Sequence, residues 1–140
     1  MKSDGMEPRL LRLIDANLNR MREGIRVVED IFRYVFDDKE IATKLKKIRH
    51  DVRSKIEKEA LQHRDIKSDV LKGSIRSELQ RSDLEELIQA NLKRAQESAR
   101  VLEETLKMID LDESECFKKS RYELYDIEKS IFKKLFGSSI

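Results

Sequence analysis

Two short stretches of this chain repeat the same unusual polar residues at helical spacing. Residues 15–23, DANLNRMRE, return 74 residues later as residues 89–97, QANLKRAQE. Arginine binds phosphate and carboxylate groups, and an amide can donate and accept hydrogen bonds, so the repeated set suits recognition of a small anion. The predicted ligand-binding residues of the two stretches are Asn17, Arg20 and Glu23, and Asn91, Arg94 and Glu97.

The asparagines are unusual because each falls within the apolar face of an amphipathic helix. An amide among aliphatic side chains costs a few kcal/mol unless it is hydrogen-bonded. Its partner is a ligand, the other asparagine or a buried carbonyl group. Arg–Glu pairs three residues apart are also common on exposed helix surfaces, so this ordinary interpretation stays open for both pairs.

Two other groups could contribute to an anion site. Arg49, His50 and Arg53 form a local cluster of positive charge that suits an anion clamp better than a metal. Arg64, Asp65 and Asp69 place one cation and two carboxylates on an irregular segment, the combination that a magnesium-nucleotide site needs. No Walker motif, catalytic triad, CxxC or HExxH is present.

Helical periodicity predicts four elements that position these residues. The first runs from residue 10 to 36, the second from 37 to 62, the third from 83 to 109 and the fourth from 112 to 137. We expect N-caps at Asp37 or Asp38, at Ser82 with Glu85, and at Asp112 with Glu115.

The repeat predicts an all-α fold with internal symmetry. We expect one domain over residues 1–140, a four-helix bundle built from two similar helical hairpins about an approximate two-fold axis. The hairpins would span residues 8–63 and 83–137, joined by a long central linker at 64–82.

Composition narrows the range of functions. The net charge is only +2 from 30 basic and 28 acidic side chains, which argues against a nonspecific nucleic-acid binder. Cys116 is the single cysteine, which excludes an internal disulfide. No signal peptide or membrane-spanning run is evident, so we expect a cytoplasmic protein without a membrane partner. A homodimer is compatible with these features.

Several motifs together resemble a known family. They are LIDANLNRMREGIRVVEDIFRYVFDD, IRHDVR, RDIKSDV and DLEELIQANLKRAQESARVLEE. Residues 10–108 resemble a small helical family that occurs alone or fused to thiamin-phosphate synthase and is implicated as a hydroxymethylpyrimidine-phosphate kinase. The sequence DVLKGS departs from the pattern, because a glycine is expected soon after the Asp-Val pair.

The resemblance implies an ATP-dependent phosphomethylpyrimidine kinase of thiamin biosynthesis, with ATP and Mg²⁺ as cofactors, a small-molecule phosphate substrate and thiamin-phosphate synthase as a partner. The implied catalytic residues are Arg20, Arg64, Asp69 and Arg94. The implied substrate- and nucleotide-binding residues are Asn17, Glu23, Arg49, His50, Asn91 and Glu97. The implied metal ligands are Asp65 and Asp69.

Two alternatives remain on the sequence alone. One is a non-catalytic helical module that regulates or partners thiamin-phosphate synthase. The other is a different helical enzyme for small anions, in the style of chorismate mutase.

Overall fold

All regular secondary structure in the described part of the chain is helical, which confirms the predicted all-α class. The computed structural model describes residues 7–75 and 80–136. None of the helices within these two ranges is long and apolar enough to cross a membrane. The helices are α1 (Glu7–Asp30), α2 (Lys39–His50), α3 (Glu57–Leu61), α4 (Leu84–Leu106) and α5 (Leu111–Ile131), and π-helical turns at Ile31–Val35 and Phe132–Phe136 extend α1 and α5.

The core forms where the two repeated helices, α1 and α4, pack against each other. In addition, α2 packs on α1 and α5, and α5 packs on α4. A Cβ atom added at Gly24 of α1 would lie 2.8 Å from the backbone oxygen of Asn91 in α4. The two backbones therefore approach too closely for any larger residue at this point. The buried apolar residues of the crossing include Ile14, Leu18, Met21, Ile25, Ile88, Leu92, Ala95 and Ala99.

Each repeated helix also carries a buried glutamate that binds an arginine of the next long helix. Glu29 of α1 accepts hydrogen bonds from Arg49 of α2 at 2.6 and 3.1 Å. Glu103 of α4 accepts one from Arg121 of α5 at 3.0 Å. Both glutamates are almost fully buried. Glu103 also pairs with Arg100, whereas loss of Arg49 would leave the charge of Glu29 uncompensated in the core.

The predicted second helix is not continuous. It is interrupted between α2 and α3, where the Arg22 guanidinium donates to the carbonyl group of Val52. The Glu113 carboxylate accepts from the Ser54 hydroxyl group and the Lys55 backbone N–H. The prediction of one helix to residue 62 is wrong because side chains from α1 and α5 satisfy backbone groups that a continuous helix would pair internally.

Two of the three predicted helix caps are also displaced. Asp38 caps α2 as expected, by accepting from the Ile41 N–H at 3.0 Å. Asp83, and not Ser82, caps α4. Asp110, and not Asp112, caps α5. In both cases a neighbouring aspartate supplies the capping oxygen, a residue type as favourable at this position as serine.

The close α1–α4 contact predicts that two glycine-to-alanine variants differ in stability. Gly24→Ala gains about 1 kcal/mol of helix propensity but overpacks a backbone contact, which costs about 1–3 kcal/mol. We expect a net loss of stability, measured as a lower urea midpoint. Gly73→Ala is the control, because nothing lies within 4 Å of its added Cβ atom. Equal midpoints for the two variants would contradict the close contact.

Candidate functional site

The main candidate site is a cleft between α1 and α4, bordered by the linker. We call it the α1–α4 cleft. It has two adjoining parts of about 560 and 900 Å³. The residues shared by both parts are Asn17, Arg20, Ile66, Asp69 and Val101. Residues from both halves of the chain and from the linker thus line one cavity.

A buried carboxylate fixes the start of the linker against α1. Asp15 is only 5% exposed, and it accepts two hydrogen bonds from the Arg64 guanidinium, at 2.7 and 2.8 Å. These bonds raise the pKa of Arg64. Arg12 donates to the backbone oxygen of Asp65 at 2.7 Å. Arg64 therefore positions the linker, and its guanidinium is already paired.

The cleft is basic, and two of its arginines have no ion-pair partner among the described residues. Its lining includes eight basic side chains and four carboxylates. Arg20 of α1 and Arg94 of α4 are exposed and line it. Neither makes an ion pair within residues 7–75 and 80–136. Unpaired guanidinium groups in a concave surface suit an anionic ligand with several oxygen acceptors.

The two asparagines bond to their own helices. The side-chain nitrogen of Asn17 donates to the backbone oxygen of Leu13, and that of Asn91 donates to the backbone oxygen of Leu87, both at 2.9 Å. The buried-carbonyl interpretation is therefore what the structure shows. Asn17 lines both parts of the cleft. Asn91 lines neither, because its backbone lies against Gly24 at the helix crossing.

The linker carboxylates stabilise turns within the linker. Asp65 accepts from the Ser68 N–H at 3.0 Å, and Asp69 accepts from the Leu71 N–H at 2.9 Å. Hydrogen bonds from the Ser68 side chain and then from the Ser68 N–H lower the pKa of Asp65. In the described residues no three His, Cys, Asp or Glu side chains come together as a metal site. The assignment of Asp65 and Asp69 to Mg²⁺, and the binding of ATP, stay predictions.

The predicted anion clamp on α2 is not part of this cleft. Arg49 bonds to Glu29, which raises the pKa of Arg49. Glu29 lies about 18 Å along α1 from Asn17, at 1.5 Å per residue. His50 is exposed at the end of α2. The prediction that Arg49 and His50 lie opposite the asparagines is therefore corrected. The buried Glu29 binds Arg49 and holds it far from Asn17.

The glutamates of the repeated sets differ in position. Glu97 lines the cleft, whereas Glu23 does not. The sequence analysis missed other lining residues, among them Lys93 and Ser98 of α4. Helical spacing offered a signal for both, since Ser98 lies four residues after Arg94 and Lys93 lies four residues before Glu97. The buried acceptor Asp15 lies inside the repeated stretch but was not singled out.

The family follows from comparison with known proteins. Residues 12–130 match the ThiD2 family. The chain belongs to the ThiD2 family. A protein from Synechocystis named thiamine-phosphate synthase is 37% identical over 123 residues, which are 87% of this chain and 36% of that protein. No solved structure gives a significant match to this chain.

Further relatives carry the same name. A thiamine-phosphate synthase from Synechococcus is 36% identical over 95% of this chain and 38% of its own length. One from Rhodopirellula baltica is 33% identical over 91% of this chain and 36% of its own length. The chain thus spans a little over a third of the length of these relatives.

These names correct the expected activity. The prediction of an ATP-dependent phosphomethylpyrimidine kinase is wrong, because the relatives that match most of the chain are named for thiamine-phosphate synthase, a different enzyme from a kinase. The similarity to the ThiD2 family itself agrees with the predicted resemblance.

The ion pair at Glu29 predicts that Arg49 contributes to stability. Arg49→Met should lower the free energy of unfolding by about 3 kcal/mol or more, because it leaves a buried carboxylate without a partner. Arg26→Met is the control, since Arg26 forms an exposed pair with Asp30 that contributes about 0.3–0.5 kcal/mol. Urea denaturation measures both.

A double variant tests whether the unpaired charge of Glu29 causes this loss of stability. Glu29→Gln combined with Arg49→Met removes the buried charge together with its partner, so it should recover part of the lost stability. No recovery in the double variant would contradict the assignment of Arg49 to the ion pair.

Proposed function

We propose that this chain acts in thiamin biosynthesis as a non-catalytic helical module that partners thiamin-phosphate synthase and holds a phosphorylated small molecule in the α1–α4 cleft. The observation that carries the proposal is that Arg20 and Arg94, which form no ion pair with the described residues, lie in a basic cleft between the repeated helices.

The partnership is supported by the length of the relatives. Proteins named thiamine-phosphate synthase contain a region similar to almost this whole chain, yet that region covers only 36–38% of their length. A segment of this size beside a longer remainder is typical of a module that works with another domain. The same partnership can operate between separate chains.

The ligand is inferred from the chemistry of the cleft. A phosphate monoester is a dianion or nearly so at neutral pH, and guanidinium groups on two helices can each donate to its oxygen atoms. Asn17 is a buried polar side chain in the lining of the same cleft. Within thiamin biosynthesis, the phosphorylated pyrimidine implied by the family resemblance has the required charge and size.

We also propose that the two halves form a four-helix bundle about an approximate two-fold axis, as two hairpins (8–63 and 83–137) of one domain joined by the 64–82 linker. Supporting contacts occur once in each half. They are the hydrogen bonds from the side chains of Asn17 and Asn91 to their own helices, the glutamate–arginine pairs Glu29–Arg49 and Glu103–Arg121, and the hydrogen-bonded pairs Arg22–Glu57 and Gln96–Glu128. Such an axis would pass near Arg20 and Arg94.

Removing one cleft arginine should weaken ligand binding. A hydrogen bond from a charged group contributes about 1.5–3 kcal/mol, so Arg94→Ala should raise the Kd for hydroxymethylpyrimidine phosphate about tenfold or more. Arg20→Ala should do the same. Arg53→Ala is the matched control, because Arg53 is an exposed arginine outside the cleft. Isothermal titration calorimetry measures all three variants.

Comparison with the unphosphorylated alcohol tests the role of the phosphate. The alcohol should bind weakly to the unmodified chain and should be insensitive to Arg94→Ala. If the phosphate ester binds no better than the alcohol, the cleft is not a phosphate site. Release of ADP from ATP by the chain in the presence of the phosphate ester would contradict the non-catalytic assignment.

A further inference from the structure

We propose that the aliphatic side chains on the linker form the docking surface for thiamin-phosphate synthase, so that the α1–α4 cleft opens into the contact between the two proteins. We call this the linker surface and define it by Ile66, Val70 and Leu71. This inference rests on the proposed function, and it adds which part of the chain makes the contact.

The linker surface is the most exposed aliphatic cluster on the described residues. Val70 is 93% exposed, Leu71 is 85% exposed and Ile66 is 71% exposed. Single exposed aliphatic residues are normal on protein surfaces, but a cluster within six residues beside a ligand cleft marks an interaction site. The core does not use these side chains, so another surface must cover them if they are to be buried.

The surface is held in a defined position. At its start the linker is fixed to α1 by the paired Arg64 and Asp15 side chains. Two further bonds, from the Ser68 N–H to Asp65 and from the Leu71 N–H to Asp69, order the turns that carry the aliphatic residues. A preorganised loop loses less conformational entropy when a partner binds it.

The relatives indicate the occupant. In proteins named thiamine-phosphate synthase, about a third of the length resembles this chain and the rest lies outside it. A contact between this remainder and the helical region would use a surface that the helical core leaves open. The linker surface is such a surface, whereas the apolar faces of α1 and α4 are already buried against each other.

Docking at this surface would couple binding of the synthase to binding of the ligand in the cleft. Ile66 and Val70 line one part of the α1–α4 cleft, and Ile66 and Leu71 line the other. A partner seated on these residues would therefore cover the mouth of the cleft. If a bound ligand changes the affinity for the synthase, the synthase must change the affinity for the ligand by the same factor.

The experiment compares two sets of exposed aliphatic residues. The Kd of this chain for thiamin-phosphate synthase from the same organism is measured by biolayer interferometry, with and without hydroxymethylpyrimidine phosphate. Val70→Ser combined with Leu71→Ser should raise that Kd at least tenfold. Leu111→Ser is the matched control, because Leu111 is 67% exposed at the first residue of α5 and does not line the cleft. Its Kd should not change.

The outcomes separate this inference from the proposed function. If the unmodified chain does not bind the synthase at all, the proposed partnership fails and the inference fails with it. If the chain binds but only Leu111→Ser weakens binding, the partnership holds and the linker surface is the wrong one. If the linker variant loses ligand affinity and keeps synthase affinity, the aliphatic residues close over the ligand, and the docking assignment is overturned. Circular dichroism checks that the variants remain helical.

Discussion

The close crossing of α1 and α4 is the constraint on which the rest of the structure depends. Gly24 lets the backbone of α1 approach that of Asn91, and the small Ala95 lies at the same contact. Backbones that pack this closely bring Arg20 and Arg94, one arginine from each repeated set, to one groove. The shape of the cleft therefore depends on glycine at position 24, because the packing of the two helices sets the distance between its walls.

Electrostatic pairing divides the arginines of this chain into two groups. Arg49 and Arg121 each bond to a buried glutamate, and Arg64 bonds to the buried Asp15. Those cations neutralise carboxylates that could not otherwise stay charged in the interior. Arg20 and Arg94 face the cleft without a carboxylate partner in the described part of the chain. Arginine thus joins helices at some positions, and at others it lies in the cleft with no carboxylate partner among the described residues.

Membership of the ThiD2 family connects this division to a biological context. The relatives named thiamine-phosphate synthase are longer proteins of which the helical region is a part. A module that binds a phosphorylated molecule beside the linker would hold that molecule near its partner. The linker then has two roles that depend on the Asp15–Arg64 pair, since it forms one wall of the cleft and presents the aliphatic residues at its mouth.

The sequence by itself determined the helical class and the repeated polar set, because both depend on residues within a few turns of one another. The apolar period of α1 and the spacing of Asn17 and Arg20 are local properties that helix geometry fixes. Asn91 already shows the limit of that reasoning, since it shares the motif but its helix turns it toward Gly24 and out of the cleft.

Only the tertiary structure decided which arginines bind buried carboxylates and where the second helix ends. Arg49 binds Glu29, which is 20 residues away in the sequence, and Arg64 binds Asp15, which is 49 residues away. The interruption after α2 is stabilised by Arg22 and by Glu113, which lies on α5. Such choices depend on which charged groups helix packing brings within hydrogen-bonding distance in the low-dielectric interior, and no local pattern in the sequence encodes that distance.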